Sequence, residues 1–273
     1  MRSQFSLSIA GLFLGICTTA AAGPISFSTG SPDGLLGTAS RPSLGEIESA
    51  DDFTFNTAVW ITNATFYGLL PSGLTAADVA QVRAEIYRIF PLDSTNPPSG
   101  NVPTRANSPS DNALFERDSA IPDLTFTASL FSPGFTVANS VVNGINPKPN
   151  QTTSGEGPVT GDEFLFDVTF TAPFLLPAGQ YFFVPQVRLL SGNFLWLSAP
   201  KVVMPPADLQ SWIRGPNLDP DWLRIGSDVI GAGAFNGAFS ISGVAVPEPA
   251  TMALIGAGLL LIGTMGHKAR RRG

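Results

Sequence analysis

Histidine and cysteine are nearly missing: each occurs once in 273 residues, as His267 and Cys17. Both stand close to an end of the chain, so the long stretch between them has neither. Ser-His-Asp and Cys-His nucleophile systems then lack their base or thiolate, and zinc, copper or haem lacks imidazole and thiolate ligands. Charge is also sparse, at 13% of residues. A chain kept disordered needs high net charge and few apolar groups, and this one has the opposite balance. No GxGxxG, P-loop or GxSxG element joins a strand-like run to a helix-like one, so redox and phosphate-transfer chemistry find no support.

What is plentiful is glycine (28), proline (24) and phenylalanine (20). Short apolar runs separated by Gly, Pro, Ser and Thr point to an all-β domain with many turns. Both ends are set aside before the fold is read. Arg2 precedes an apolar run over 9–17, followed by Thr-Thr-Ala-Ala-Ala. Ala20 and Ala22 give the small-x-small pattern of a signal peptidase site, so the chain is expected to enter the Sec machinery and be cut after Ala22. The run is short for an uncleaved membrane anchor. Cys17 leaves with the signal, and the mature body must hold together without disulfides.

All 21 acidic residues lie between positions 33 and 248. Of the 15 basic residues, Arg2, Lys268, Arg270, Arg271 and Arg272 fall at the ends, leaving ten and an outer part of about −11. Nucleic acid and anionic lipid both demand a basic face, so neither is expected as a partner.

The chain closes with VPEPATMALIGAGLLLIGTMGHKARRRG. Residues 250–266 carry no charge and would form a helix of about 25 Å, near the lower limit for a membrane span. The basic stop Lys268, Arg270, Arg271 and Arg272 belongs on the cytoplasmic side, which puts residues 23–245 outside. Pro247 and Pro249 prevent the helix from continuing backwards, so the segment before it stays extended, as a protease substrate must. This ending resembles the PEP-CTERM sorting signal: Val246, Pro247, Glu248 and Pro249, a short transmembrane helix, then an arginine cluster. The resemblance covers about a tenth of the chain. It implies an exported protein of a Gram-negative, polysaccharide-producing bacterium, cut near the Pro-Glu-Pro motif by an exosortase and passed to the surface or matrix.

Between the ends, alternation marks the strands. In GDEFLFDVTFTAPF, Phe164, Phe166, Val168 and Phe170 share one face, with Asp167, Thr169 and Thr171 on the other. Similar runs are DDFTF (51–55), VWITNATFYG (59–68), LTFTASLF (124–131), QYFFVPQVRLL (180–190), NFLWLS (193–198) and FNGAFSISGV (235–244). Thr75 and Asp78 predict a helical turn over 75–80 before a strand over 81–90. Two long polar loops are expected, at 91–122 and 143–161. The sum predicts one antiparallel β-sandwich of jelly-roll type over 23–245, plus one C-terminal transmembrane helix. The opening SADDFTF with WITNATFYG resembles extracellular sandwich domains found ahead of such tails.

Carboxylate chemistry and sugar binding survive the exclusions. Asp51 with Asp52, Asp162 with Glu163, or Asp219 with Asp221 would be the acids of a glycan hydrolase or lyase, but strand neighbours point to opposite faces. A structural calcium is the other use of such oxygens, near NLDPDW (217–222) or Asp162 and Glu163; no other cofactor is expected. Sugars stack on exposed aromatic rings, which makes Trp212 and Trp222, with Arg214, Asp219, Asp221 and Arg224 nearby, the ligand candidates. The plain alternative is that both tryptophans plug the end of the sandwich, while Trp60 and Trp196 sit in the core. The favoured role is non-enzymatic: a matrix or carbohydrate-binding protein, with a structural coat as a further alternative.

Overall fold

The computed structural model describes residues 23–42, 45–89, 113–143, 145, 151–200, 208–215 and 222–246. The strands are β1 (Pro24–Ser28), β2 (Leu36–Ala39), β3 (Glu48–Phe55), β4 (Val59–Leu70) and β5 (Val79–Arg88). Then come β6 (Phe115–Asp118), β7 (Leu124–Val137), β8 (Asn139–Val141), β9 (Val159–Leu176) and β10 (Gly179–Leu189). The last are β11 (Leu195–Ala199), β12 (Trp212–Arg214), β13 (Leu223–Arg224), β14 (Asn236–Gly237) and β15 (Phe239–Ala245). Residues Gly23–Ala245 form one compact unit.

Two sheets carry these strands. The larger runs β1-β15-β4-β11-β2-β8, with β9 and then β7 continuing from the other side of β4 and β14 paired to β11. The smaller runs β13-β12-β3-β10-β5-β6. The predicted antiparallel order needs one correction: β2 and β8 pair in parallel, Gly37 opposite Ser140.

The inner faces meet in a phenylalanine-rich core. Phe66, Phe166 and Phe239 from the larger sheet, with Phe194 just before β11, join Phe53, Phe183, Val82 and Ile86 from the smaller. Phe66 and Phe166 stack at 4.8 Å, and Phe183 lies 5.3 Å from Phe239. Two glycines are fixed by this packing. A Cβ on Gly68 would collide with the Phe194 ring, and one on Gly237 with the Trp196 indole.

The alternating stretches form strands where the sequence placed them. Phe164, Phe166, Val168 and Phe170 are buried while Asp167, Thr169 and Thr171 are exposed. The predicted turn is a short 3-10 turn, Ala76–Asp78, and the strand follows at once. Asp78 stabilises the turn by accepting from the Thr75 backbone N–H at 2.7 Å. The first predicted polar loop needs a correction, because β6 lies inside it and pairs with β5. Phe115 anchors that strand by stacking on Phe174 at 4.7 Å. Ala20, Ala22, Pro247, Glu248, Pro249, the 250–266 helix and the basic stop lie outside the described residues. Among those described, no helix is long and apolar enough to cross a membrane.

Candidate functional site

The outward face of the larger sheet has an unusual chemistry for a protein of this net charge. Its strand register aligns Ser26, Ser242, Asn63, Thr169 and Thr125 in one cross-strand row. The next row is Ser28, Ser240, Thr65, Asp167 and Thr127. Every one of these side chains is exposed or half-buried, and Asp167 is the single charge among them. Neighbours within the rows bond to one another: Asn63 Nδ2 donates to Thr169 Oγ1 at 3.1 Å, and the Thr65 and Ser240 hydroxyls lie 2.6 Å apart. Cross-strand polar pairs of this kind stiffen a sheet while leaving their remaining lone pairs and protons to solvent.

Apolar groups bound the rows at both ends. Trp60, 46% exposed, sits between its register partners Leu175 and Val244, which are exposed as well. At the far end the exposed Phe131 ring meets Tyr67 edge-on at 5.3 Å. With strands about 4.8 Å apart and like-facing residues about 6.8 Å apart, the surface measures roughly 20 Å each way.

Trp60 corrects a sequence expectation, and a bulge is the reason. Trp60 and Phe66 are six residues apart, so a regular strand puts both on one face. The register between β4 and β9 shifts between Ile61 and Asn63, and the β15 register shifts opposite it. The extra residue reverses the parity. Val59, Ile61, Ala64 and Phe66 then all point inward, and Trp60 points out. Trp196 is buried as expected.

The two tryptophans read from sequence as ligand candidates lie elsewhere and are covered. Trp222 is fully buried and Trp212 nearly so, in a cluster with Ala50, Tyr87, Phe182 and Val184. Their rings therefore offer no face to a sugar, which corrects that assignment in favour of the plug. Arg214 is buried beside them, its guanidinium over the Trp222 ring at 4.4 Å. It binds Glu48 through two hydrogen bonds, one of them Nη2 to Oε1 at 3.2 Å, and donates to the Tyr87 hydroxyl at 3.1 Å. Arg224 pairs with Asp228 at 3.0 Å. Asp219 and Asp221 lie outside the described residues.

That cluster brings together two acids which no spacing in the sequence links, Glu48 and Glu85. The Tyr87 hydroxyl lies 2.7 Å from Glu48 Oε1 and 3.1 Å from Glu85 Oε2. Burial, then the charge of Glu48, pushes the Glu85 carboxyl well up, and burial likewise pushes up the Tyr87 phenol. A glycosidase holds its acids apart across a sugar bond. Here one phenol bridges two buried acids, and the arrangement ties β3, β5 and β12 together.

The other acid pairs sit in separate surroundings, with Asp51 Oδ1 buried and without a hydrogen-bond partner among the described residues. Asp51 is buried and accepts from the Gly237 N–H at 2.6 Å, whereas Asp52 accepts from Leu209 N–H at 2.8 Å and Gln180 Nε2 at 2.5 Å. Burial raises both, Asp52 to about 6. Asp162 caps two turns by accepting from Gly134 and Gly73 N–H groups, which pulls its carboxyl down, while burial raises Glu163. Among the described residues no three His, Cys, Asp or Glu side chains gather to hold a metal ion.

Residues 245–272 match the PEP-CTERM protein-sorting motif. The chain therefore carries the signal by which an exosortase processes exported proteins at the Gram-negative cell surface. No curated protein and no solved structure matches the chain.

Proposed function

We propose that this exosortase-sorted surface protein associates with extracellular polysaccharide through the outward face of its larger sheet. One observation carries the reading: two rows of hydroxyl and amide groups with Asp167 as their single charge, bounded by the exposed rings of Trp60 and Phe131. Sugar hydroxyls exchange hydrogen bonds with such rows, and their C–H faces stack on an exposed indole. The low charge favours a ligand that binds by many weak polar contacts. Among the described residues no acid pair stands open on this face, and we read the role as retention.

In this account the N-terminal 22 residues direct export through the Sec machinery, with Ala20 and Ala22 read by signal peptidase. Residues 250–266 then hold the precursor in the inner membrane, the basic stop facing in and the jelly-roll-like body over 23–245 facing out. Exosortase cutting near Val246, Pro247, Glu248 and Pro249 passes the body to the surface or matrix.

The test is co-sedimentation of residues 23–245 with the producing cell's own polysaccharide, with and without a calcium chelator. Saturable binding that survives chelation is expected. Absence of binding, with the polysaccharide left uncut, would sink the reading and leave a structural coat.

A further inference from the structure

A cavity of different chemistry is lined by none of the residues of the hydroxyl rows. The chain after β2 and the turn between β10 and β11 enclose a cavity of about 400 Å³, lined in part by Arg41, Pro42, Val187, Arg188 and Asn193. Two arginines on one cavity are notable in a body that carries about twice as many acids as bases. Arg83 and Arg214 of the smaller sheet, by contrast, are each committed to a buried carboxylate. Arg41 and Arg188 pair with no carboxylate among the described residues, and both meet only neutral groups.

Those neutral contacts hold the two side chains without using them up. Arg41 donates from Nε to the Gly45 carbonyl at 3.1 Å and from Nη1 to Asn193 Oδ1 at 2.7 Å. Arg188 donates from Nε to Gln81 Oε1 at 3.0 Å. The Nη2 amine of Arg41 and both Nη amines of Arg188 have no protein acceptor among the described residues. Neighbouring acids are spoken for: Glu46 accepts from Gln186 at 3.0 Å, and Asp118 accepts from Arg83 and from Gln81. Asn193 is itself fixed by the turn, because Gly192 has φ 77° and a Cβ there would press on Pro71. Burial alone shifts the Arg41 guanidinium, downwards, as expected of a cation with no anion beside it.

We propose that this cavity binds the carboxylate of an acidic sugar unit, with Arg41 and Arg188 as its two cationic contacts. The ligand class rests on the polysaccharide reading above; the cation pair stands without it. Guanidinium forks match a carboxylate's two oxygens, and a planar fork already oriented by its other bonds loses little freedom on binding. A neutral sugar chain would leave both charges unmatched.

The full-length chain in a nonionic detergent, titrated with a galacturonate tetramer and with the same tetramer as its methyl ester, tests the proposal. The acid form is expected to bind at least about tenfold more tightly, and Arg41→Gln or Arg188→Gln to weaken it about tenfold each, since a charge-assisted contact is worth roughly that factor. Both positions are at the surface, and circular dichroism checks that the variants keep the wild-type fold. Equal binding of acid and ester, or wild-type affinity in both variants, overturns the proposal. Failure of the two readings is separable: whole polysaccharide retained through Trp60 with no acid preference removes this cavity alone. Acid binding that ignores Trp60→Ala removes the sheet surface alone.

Discussion

Among the four tryptophans, exposure separates one from the rest. Trp60 is 46% exposed, while Trp196, Trp212 and Trp222 are each 3% or less. Trp60→Ala should therefore leave the thermal midpoint within a degree or two and weaken polysaccharide retention, read by co-sedimentation. Phe166→Ala, which empties a stacked pair in the core, should cost about 3–5 kcal/mol in a denaturant titration. Buried acids make a second prediction at this scale. Asp51, Asp52 and Glu85 are all raised by burial, so the folded protein holds their protons more tightly than the unfolded chain does. Stability from such groups is complete below the ordinary carboxylate value of about 4 and is lost as pH climbs through 6 and beyond. The midpoint of residues 23–245 should be higher at pH 5 than at pH 8, and Asp52→Asn should flatten the part of the slope around pH 6. A midpoint that rises from pH 5 to pH 8 would contradict the assignment.

At the scale of elements, the Arg214–Glu48–Tyr87–Glu85 cluster joins three strands of the smaller sheet that are far apart in the chain. Arg214→Ala strands a buried carboxylate and should destabilise by about 3–5 kcal/mol, with Arg214→Lys recovering part of the loss. A variant that unfolds no earlier than wild type would show the cluster to be idle. Strands were legible wherever one face is buried, because alternation of period two is then enforced, as in β9. The site was less legible, and β4 shows why. A bulge is a single extra residue, and nothing in WITNATFYG marks Thr62 as that residue. Parity counted across it places Trp60 in the core, and the exposed aromatic is lost from view. Trp212 and Trp222 differ in the opposite direction, since Pro, Gly and Asp around them look like an open loop while Tyr87 and Arg214 pack on the Trp222 ring and Phe182 and Arg224 on that of Trp212. The cross-strand rows of Ser, Thr and Asn appear only once five strands are aligned, and the pairing of Glu48 with Glu85 only once β3 and β5 share a sheet.

At the scale of the whole molecule, delivery and the proposed retention fall on separate stretches. Residues 245–272 carry the matched sorting motif, whose Pro-Glu-Pro lies just beyond β15 in the chain. Replacing Pro247, Glu248 and Pro249 by alanine should leave the precursor in the inner-membrane fraction with its full C-terminal mass, measured by fractionation and intact-mass spectrometry. Normal release from that variant would contradict exosortase processing through this motif. Once delivered, the body is acidic, and its proposed contact surface is the outer face of the larger sheet, where Asp167 is the single charge in the two polar rows. The most direct measurement is oxidative footprinting of the tryptophans with and without the producing cell's polysaccharide, with the three buried rings as internal controls. The account predicts that the polysaccharide protects Trp60 while Trp196, Trp212 and Trp222 stay unreactive in both states. Equal oxidation of Trp60 under conditions where the protein co-sediments would place the contact elsewhere and contradict the account.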